Sequence, residues 1–220
     1  MLKSKGIAMG LTDIIVIYFK RFLKVSSLLF IILTLLSSKA FAGVTYVTKF
    51  SVKDQDLNPR DVQFNTDGTK MFVLGATGQD VNVYTLSTGF DLTSTVTFVN
   101  SYDLSGGLSG SMPTGLAFNS DGTKMFIAEY SSEDLILEYT LSTGFDLFST
   151  VNFVGSYDAG SQEDLITDVK FNSDGTKMFV LGQRGDDVNE YTLSTGFDLS
   201  SNVTFVDSFD YSSQETSPSG

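Results

Sequence analysis

One sequence unit occurs three times in this chain. Copies of the string F-N-x-D-G-T-K-M-F begin at Phe64, Phe118 and Phe171. Copies of a second string, Y-T-L-S-T-G-F-D-L, begin at Tyr84, Tyr139 and Tyr191. The spacing of the first string is 54 and then 53 residues, so the chain from about residue 44 onward has a period of about 53 residues. Such a period is typical of architectures in which each unit buries its faces only by stacking on its neighbours.

Each unit carries the signals of four short strands. In the first unit these are Val62–Asn65, Met71–Leu74, Val81–Leu86 and Val96–Tyr102, which are rich in β-branched and aromatic residues. The first two are separated by Asp67-Gly68, a dipeptide typical of tight hairpin turns. No segment after residue 42 shows helical periodicity. Four strands in each repeat predict an all-β chain, a β-propeller of three four-stranded antiparallel blades.

The repeat boundaries place the blades at approximately 61–104, 115–158 and 168–211. The segment Val44–Phe50 (V-T-Y-V-T-K-F) matches the fourth strand of a unit and predicts an orphan N-terminal outer strand. Thr216–Gly220 matches the residues that precede the first strand of a unit. Three blades are fewer than the four to eight of a closed ring, so we expect an incomplete ring. If three blades are the whole chain, two copies could instead close a six-bladed ring as a dimer.

Residues 1–42 differ in kind from the repeats at 43–220. A basic cluster (Lys20, Arg21, Lys24) precedes the apolar stretch Val25–Leu36, and Ala40-Phe41-Ala42 follows. This order predicts a secretory signal peptide cleaved after Ala42, because the apolar stretch is shorter than the roughly 20 residues of a membrane span. We therefore expect an exported protein, secreted, periplasmic or at the cell surface, with no stable membrane insertion after cleavage.

Composition excludes several kinds of chemistry. The chain has no Cys and no His, which rules out disulfides, thiolate or imidazole metal sites and His-dependent catalysis. After residue 42 it carries 8 Lys and Arg against 25 Asp and Glu, a net charge of −17. A surface this acidic repels phosphate backbones and anionic lipids. We therefore do not expect the protein to bind nucleic acid. Acidity also suits solubility in an exported protein.

Sequence divergence among the three units is confined to one side of the predicted propeller. In an up-and-down blade the first and third loops lie on one face, here nearly identical in every unit. The other face, the variable face, carries loops 75–80, 129–134 and 182–187 with the connectors 103–114, 158–167 and 210–219. Loops on a rigid scaffold commonly build binding sites, although loops also drift freely after duplication. The candidate binding residues are Gln79, Asp80, Tyr130, Glu133, Asp134, Arg184, Asp186 and Asp187.

Acidic residues also raise the possibility of calcium binding. Candidate ligands are Asp54, Asp56 and Asp61, or the pairs Glu133-Asp134 and Asp186-Asp187. The repeated N-x-D-G lacks the later ligands of an EF-hand loop and fits a turn instead. No cofactor and no catalytic residue is predicted, and the repeated phenylalanines are best explained as core between blades.

At F-N-S-D-G-T-K-M-F-V and E-Y-T-L-S-T-G-F-D-L the chain resembles secreted bacterial β-propeller repeats of the broad YVTN and WD40-like superfamily, across residues 44–220. The resemblance implies the fold, while members range from lactonases and cofactor-bearing dehydrogenases to non-enzymatic binding proteins. The lactonases it resembles use acidic, Asn or His residues in the central channel. Here the corresponding first-strand positions hold Gln63, Ala117 and Lys170, with no repeated carboxylate set.

These considerations favour a secreted, non-enzymatic interaction module that binds a protein or glycan through the variable face. One alternative is a propeller hydrolase or lactonase whose site lies partly in further blades. Another is a structural repeat of a surface or virion protein.

Overall fold

The computed structural model describes residues 44–108, 112–131 and 133–212. The expected signal peptide at 1–42 and the C-terminal repeat match at 216–220 lie outside these residues. The regular structure in the described part of the chain is entirely β. Within it, no helix is long and apolar enough to cross a membrane.

The described residues form three four-stranded antiparallel sheets, as the repeats predict, and each is a simple meander in chain order. Blade 1 contains β1 (Pro59–Phe64), β2 (Lys70–Gly75), β3 (Asp80–Leu86) and β4 (Val96–Asp103). Blade 2 contains β5 (Met112–Phe118), β6 (Lys124–Tyr130), β7 (Leu135–Leu141) and β8 (Val151–Asp158). Blade 3 contains β9 (Ile166–Phe171), β10 (Lys177–Gly182), β11 (Asp187–Leu193) and β12 (Val203–Asp210).

The blades follow one another in an open arc. Strand contacts join blade 1 to blade 2 and blade 2 to blade 3, and they run mainly through the first strands β1, β5 and β9. These three strands therefore lie innermost, while β4, β8 and β12 lie at the outer edge. The described residues thus form an incomplete β-propeller, as predicted.

Side chains alternate between neighbouring blades along each second strand. On β6, Met125 and Ile127 pack in the core shared with blade 1, whereas Phe126 packs in the core shared with blade 3. Phe72 packs against Phe118 with ring centroids 4.8 Å apart and tilted planes, and Phe126 and Phe171 make the same contact at the second junction. The repeated phenylalanines are therefore core between blades, as expected from sequence.

The two repeated loops of each unit touch one another, which explains why both are preserved. Gly68, at φ +72°, accepts a hydrogen bond on its carbonyl from the backbone N–H of Phe90, whose own φ is +57°. The Asp67 carboxylate accepts the N–H of Thr69 at 2.9 Å and so fixes the turn. Positive φ favours glycine, and a side chain at Gly68 would overlap the Phe90 ring.

The expected outer strand at 44–50 is not assigned as a strand. Blade 1 already has β4 at its outer edge, so this segment belongs to no described sheet. Phe50 instead packs edge-on against Tyr84, with ring centroids 5.5 Å apart.

We expect Gly122→Ala to lower the free energy of unfolding by about 2–3 kcal/mol. Gly122 has φ +71°, and an added Cβ would overlap the Phe145 ring. The matched control is Gly155→Ala on β8, where an added Cβ meets nothing within 4 Å. Urea unfolding should show a change of under about 0.5 kcal/mol for the control. Equal effects of both substitutions would contradict the contact between the two repeated loops.

Candidate functional site

Polar side chains of the innermost strands meet where the three blades converge. Asp61 and Gln63 lie two residues apart on β1, and Asp168 and Lys170 lie two residues apart on β9. Because alternate residues of a strand share a face, each strand directs two polar groups to the same side. We call these four residues the axial cluster.

Lys170 is the centre of the axial cluster. Its Nζ lies 2.9 Å from Asp168 Oδ1 and 3.2 Å from Asp61 Oδ2, and it donates to the Leu116 carbonyl at 3.1 Å. Asp61 Oδ2 also accepts the Leu116 N–H at 2.9 Å and, at 3.3 Å, a hydrogen bond from Gln63 Nε2. One lysine and one aspartate therefore tie together blades 1, 2 and 3.

The axial cluster combines shielded carboxylates with a half-exposed lysine side chain. The side chains of Asp61 and Asp168 are 15% and 16% exposed, whereas that of Lys170 is 47% exposed. Burial raises the pKa of Asp168, and the neighbouring Lys170 opposes that rise. A pocket of about 220 Å³ lies beside the cluster and is lined in part by Gln63, Ala117 and Lys170. A carboxylate that can accept a proton thus lies beside a cation that can stabilise an oxyanion.

Gln63, Ala117 and Lys170 were predicted from the sequence to lie at the axis, but the two carboxylates were not. Asp61 and Asp168 occupy equivalent positions two residues earlier on β1 and β9, outside the three positions that the sequence analysis compared. Gly115 holds that position in blade 2, and a side chain there would contact Asp168. Aligning the first strands of the three units would have revealed the pair.

The predicted binding residues of the variable face divide into two groups. Tyr130 of blade 2 lies near Arg184 of blade 3, where Asp164 chiefly, and Tyr130 to a smaller extent, raise the pKa of Arg184. Asp134 of blade 2 is buried and accepts the Ile166 N–H of blade 3. Arg184 Nη1 binds the Asp164 carboxylate at 2.6 Å on the surface. A shallow pocket of about 410 Å³ follows residues 160–164 beside this ion pair.

The other predicted residues have local roles or lie in the open. Gln79, Asp134 and Asp186 hold the same turn position in their blades, with φ near +50°. Asp80 and Asp187 accept hydrogen bonds from asparagines two residues later, and Glu133 is exposed. Of the eight predicted residues, Tyr130 and Asp134 of blade 2 and Arg184 of blade 3 therefore lie at the junction of these two blades.

Two of the variable loops are each held by a buried connector carboxylate, a role that the sequence did not predict. Asp56 is 3% exposed and accepts the Gly78 N–H at 2.7 Å. Glu163 is 2% exposed and accepts the Gly185 N–H at 3.0 Å. Carboxylates in this position satisfy loop N–H groups that would otherwise be buried without acceptors.

In blade 2 the acidic residue lies on the second strand and not in the connector, the reverse of the arrangement in blades 1 and 3. Leu108 replaces the connector acid, and Glu129 is buried on β6 where the other blades have glycine. In blade 3 a Cβ on Gly182 would overlap the Glu163 carboxylate, so a larger residue at this strand position is incompatible with the connector acid. Part of the divergence on the variable face is thus coupled packing.

The calcium candidates Asp54, Asp56 and Asp61 do not assemble into a site. Asp56 lies in the connector and Asp61 in the axial cluster, and each carboxylate accepts backbone N–H groups. Across the described residues, no group of three or more acidic side chains is arranged to hold a metal ion.

Comparison with solved structures supports the propeller fold. The chain is similar to the periplasmic gluconolactonase PpgL of Pseudomonas aeruginosa, with 16% identity, a TM-score of 0.51, and coverage of 74% of this chain and 41% of that one. It is also similar to a putative 6-phosphogluconolactonase from Bacteroides fragilis, with 12% identity, a TM-score of 0.50 and coverage of 69% and 39%. A protein from Lactobacillus plantarum matches at 14% identity and a TM-score of 0.50, with coverage of 69% and 41%.

The chain spans about two fifths of the length of these structures. No protein-family model matches the sequence. Comparison with curated proteins also finds no match.

We expect Asp187→Asn to increase the free energy of unfolding at pH 7. Burial raises the pKa of Asp187, and Glu163 adds to the rise, so the ionised carboxylate destabilises the folded state. The increase in the free energy of unfolding should be complete at pH values above the raised pKa of Asp187 in the folded state. It should be absent below the pKa of Asp in the unfolded state, which is about 3.9. Urea unfolding between pH 3 and 7 measures it.

Asp67→Asn is the control of opposite sign. Hydrogen bonds from Thr69 lower the pKa of Asp67, so its carboxylate stabilises the fold above the unfolded pKa. That substitution should decrease stability at pH 7 and have no effect in acid. The same sign for both variants would contradict the assignment of Asp187 as a desolvated carboxylate.

Proposed function

We propose that the protein supplies three blades of a β-propeller hydrolase that opens sugar lactones at the axial cluster. The observation that carries the proposal is the placement of Lys170 between two shielded carboxylates, where the innermost strands of all three blades converge. Solved structures of the same fold include a gluconolactonase and a putative 6-phosphogluconolactonase. The proposal thus favours an enzyme over the non-enzymatic module expected from sequence, with further parts of the site in further blades.

Lactone opening needs a base for water and a stabiliser for the charge on the carbonyl oxygen. In the proposed reaction the Asp168 carboxylate takes a proton from a water molecule, which attacks the lactone carbonyl. The Lys170 ammonium group stabilises the oxyanion that forms. The C–O bond of the ring then breaks, and the proton passes from Asp168 to the departing ring oxygen, which gives the open hydroxy acid.

Charge favours an uncharged sugar lactone over a phosphorylated one. The chain after residue 42 has a net charge of −17, and Lys170 is the cation of the axial cluster, already engaged by two carboxylates. A phosphate group would meet repulsion over most of this surface. A periplasmic or secreted location, as the N-terminal sequence predicts, also suits the periplasmic gluconolactonase of similar fold.

We expect Lys170→Met to lower kcat/KM for gluconolactone by about 10²–10³-fold and Asp168→Asn by about 10²–10⁴-fold. Hydrolysis is followed by pH-stat titration, corrected for spontaneous opening. Lys53→Met, on an exposed connector side chain, is the control that should retain full activity. A rate no greater than spontaneous opening, or unchanged activity in both axial variants, would contradict the proposal.

The pH profile gives a second test of Asp168. Its raised pKa means that activity should fall with acid at a pH above the ordinary Asp value of 3.8. Asp168→Asn should remove this limb from the residual activity. If the acid limb of the pH–activity profile persists in Asp168→Asn, the general base is a residue other than Asp168.

A second candidate function is recognition of a protein or glycan by the variable face. It is favoured by the exposed Arg184–Asp164 pair beside Tyr130 at the junction of blades 2 and 3. Binding to a glycan array should then be lost in Tyr130→Ala/Arg184→Ala and retained in Lys170→Met. The opposite pattern would place ligand recognition at the axis.

A further inference from the structure

The connector between blades 1 and 2 lacks a glutamine that the other two connectors use. The Tyr84 hydroxyl donates to Gln55 Oε1 at 3.1 Å, and the Tyr191 hydroxyl donates to Gln162 Oε1 at 3.4 Å. Gly107 holds the position of these glutamines, because the N–H of each of the three residues donates to the carbonyl three residues earlier. Blade 2 therefore has no connector carboxamide at this position.

Tyr139, the equivalent tyrosine of blade 2, has a buried hydroxyl without an acceptor. Tyr139 is 4% exposed, and no group of the described residues accepts a hydrogen bond from its hydroxyl. Burial raises the pKa of Tyr139 to about 12, so this hydroxyl is a donor at neutral pH. A buried donor without an acceptor is unfavourable, and a carbonyl oxygen brought by a ligand would remove that cost.

A pocket of about 290 Å³ lies beside Tyr139, at the junction of blades 1 and 2. Its lining includes Tyr102 at the end of β4, Phe153 on β8, and the connector glycines Gly106 and Gly107. Gly107 borders both the pocket and the hydroxyl, because a Cβ on Gly107 would overlap the Tyr139 hydroxyl. The pocket therefore lies at the residue where blade 2 departs from the other two blades.

The lining of the pocket defines the chemistry of its ligand. In the other two blades the acceptor for the tyrosine hydroxyl is a carboxamide oxygen, so the matching group on a ligand is an amide carbonyl. Phe153 is 52% exposed and offers an apolar ring face, while the exposed carboxylate of Asp103 can accept hydrogen bonds from hydroxyl groups. The strongly acidic chain favours an uncharged ligand, and the volume is near the lower limit for small-molecule pockets, about 300 Å³.

We propose that this pocket binds an N-acetylated amino sugar, whose acetamido carbonyl accepts the hydrogen bond of Tyr139. One face of the sugar ring packs on Phe153, and a ring hydroxyl donates to Asp103. The Tyr139 hydroxyl lies against Gly107, and a shift of this connector, which has no side chain there, lets the acetamido group reach it. The site belongs to the variable face, and it is separate from both the axial cluster and the Arg184–Asp164 pair.

Isothermal titration of the purified protein with three small probes tests the chemistry of the ligand. We expect N-acetylglucosamine to bind roughly tenfold or more tightly than glucose, which lacks the acetamido group, and than acetamide, which lacks the sugar ring. No binding of N-acetylglucosamine at tens of millimolar would overturn the proposal. Equal binding of glucose would also overturn it, because the acetamido group would then have no role, and equal binding of acetamide would exclude the sugar.

Substitution of equivalent tyrosines locates the site. Tyr139→Phe should weaken N-acetylglucosamine by roughly tenfold or more without lowering the melting temperature, because the hydroxyl has no partner to lose. Tyr84→Phe is the matched control, which loses the bond to Gln55 and should lower the melting temperature by about 2–4 °C while leaving sugar binding unchanged. Sugar binding that persists in Tyr139→Phe would contradict the assignment.

Gly107→Gln gives blade 2 the residue that the other connectors have. The new carboxamide should take the hydrogen bond of Tyr139 and occupy the pocket, so sugar binding should be lost. Gly155→Ala, on a glycine of β8 with open space around it, is the control that should bind as the native protein does. Undiminished binding in a folded Gly107→Gln protein would place the sugar elsewhere and overturn the proposal.

Discussion

The contact between neighbouring blades is the interaction on which the rest of the structure depends. A four-stranded sheet of this composition has apolar side chains on both faces, so no blade can bury its own core. Blade 2 shows the completed state, with Met125 and Phe126, on opposite faces of β6, both fully buried. At its junction with blade 3, Glu138 binds Lys124 through Oε1 and accepts the Leu199 N–H through Oε2. Packing and charge are thus satisfied together only when the next blade is present.

The same junctions place the polar groups at the axis. Because the first strand of every blade lies innermost, residues that are distant in sequence meet there, and Lys170 of blade 3 reaches Asp61 of blade 1. The separation in the chain is more than a hundred residues, yet both side chains occupy nearly the same position in their repeats. Small differences among units at these positions convert a repeated scaffold into an asymmetric site. The proposed function therefore depends on positions that differ among the three units, whereas the fold depends on positions that are the same in all three.

The sequence predicted the architecture well because its repeats constrain it strongly. Strand order, the Asp-Gly turns and the phenylalanine core all follow from strings that recur in identical form. The axial cluster was only half predicted, since Lys170 was recognised but Asp61 and Asp168 were not aligned with one another. Of the connector carboxylates, Asp56 was predicted only as a candidate calcium ligand, and Glu163 was not singled out. Their burial depends on glycines some 20 residues later in the chain. The pairing of acid and glycine can be recognised only in the folded structure, where the loop contacts the connector.

The variable face illustrates why sequence divergence alone does not identify a binding surface. Leu108 and Glu129 in blade 2 replace the acid and glycine of the other blades, so two differences that resemble free drift are one compensated exchange. Arg184 differs in this respect, because its side chain is 67% exposed and extends from the loop toward Asp164. Exposure after packing is therefore the better criterion for recognition.

The most direct test of the central role of the junctions compares two equivalent glutamates. Glu138 lies in the completed junction between blades 2 and 3, and Glu190 has the same place on the open side of blade 3. Urea unfolding should show that Glu138→Gln lowers the free energy of unfolding by about 3 kcal/mol, because it breaks a buried ion pair. Glu190→Gln should change it by less than about 1 kcal/mol, as expected for an exposed pair. Equal losses in the two variants would contradict the account, since the contribution would then come from within each blade and not from the contact between blades.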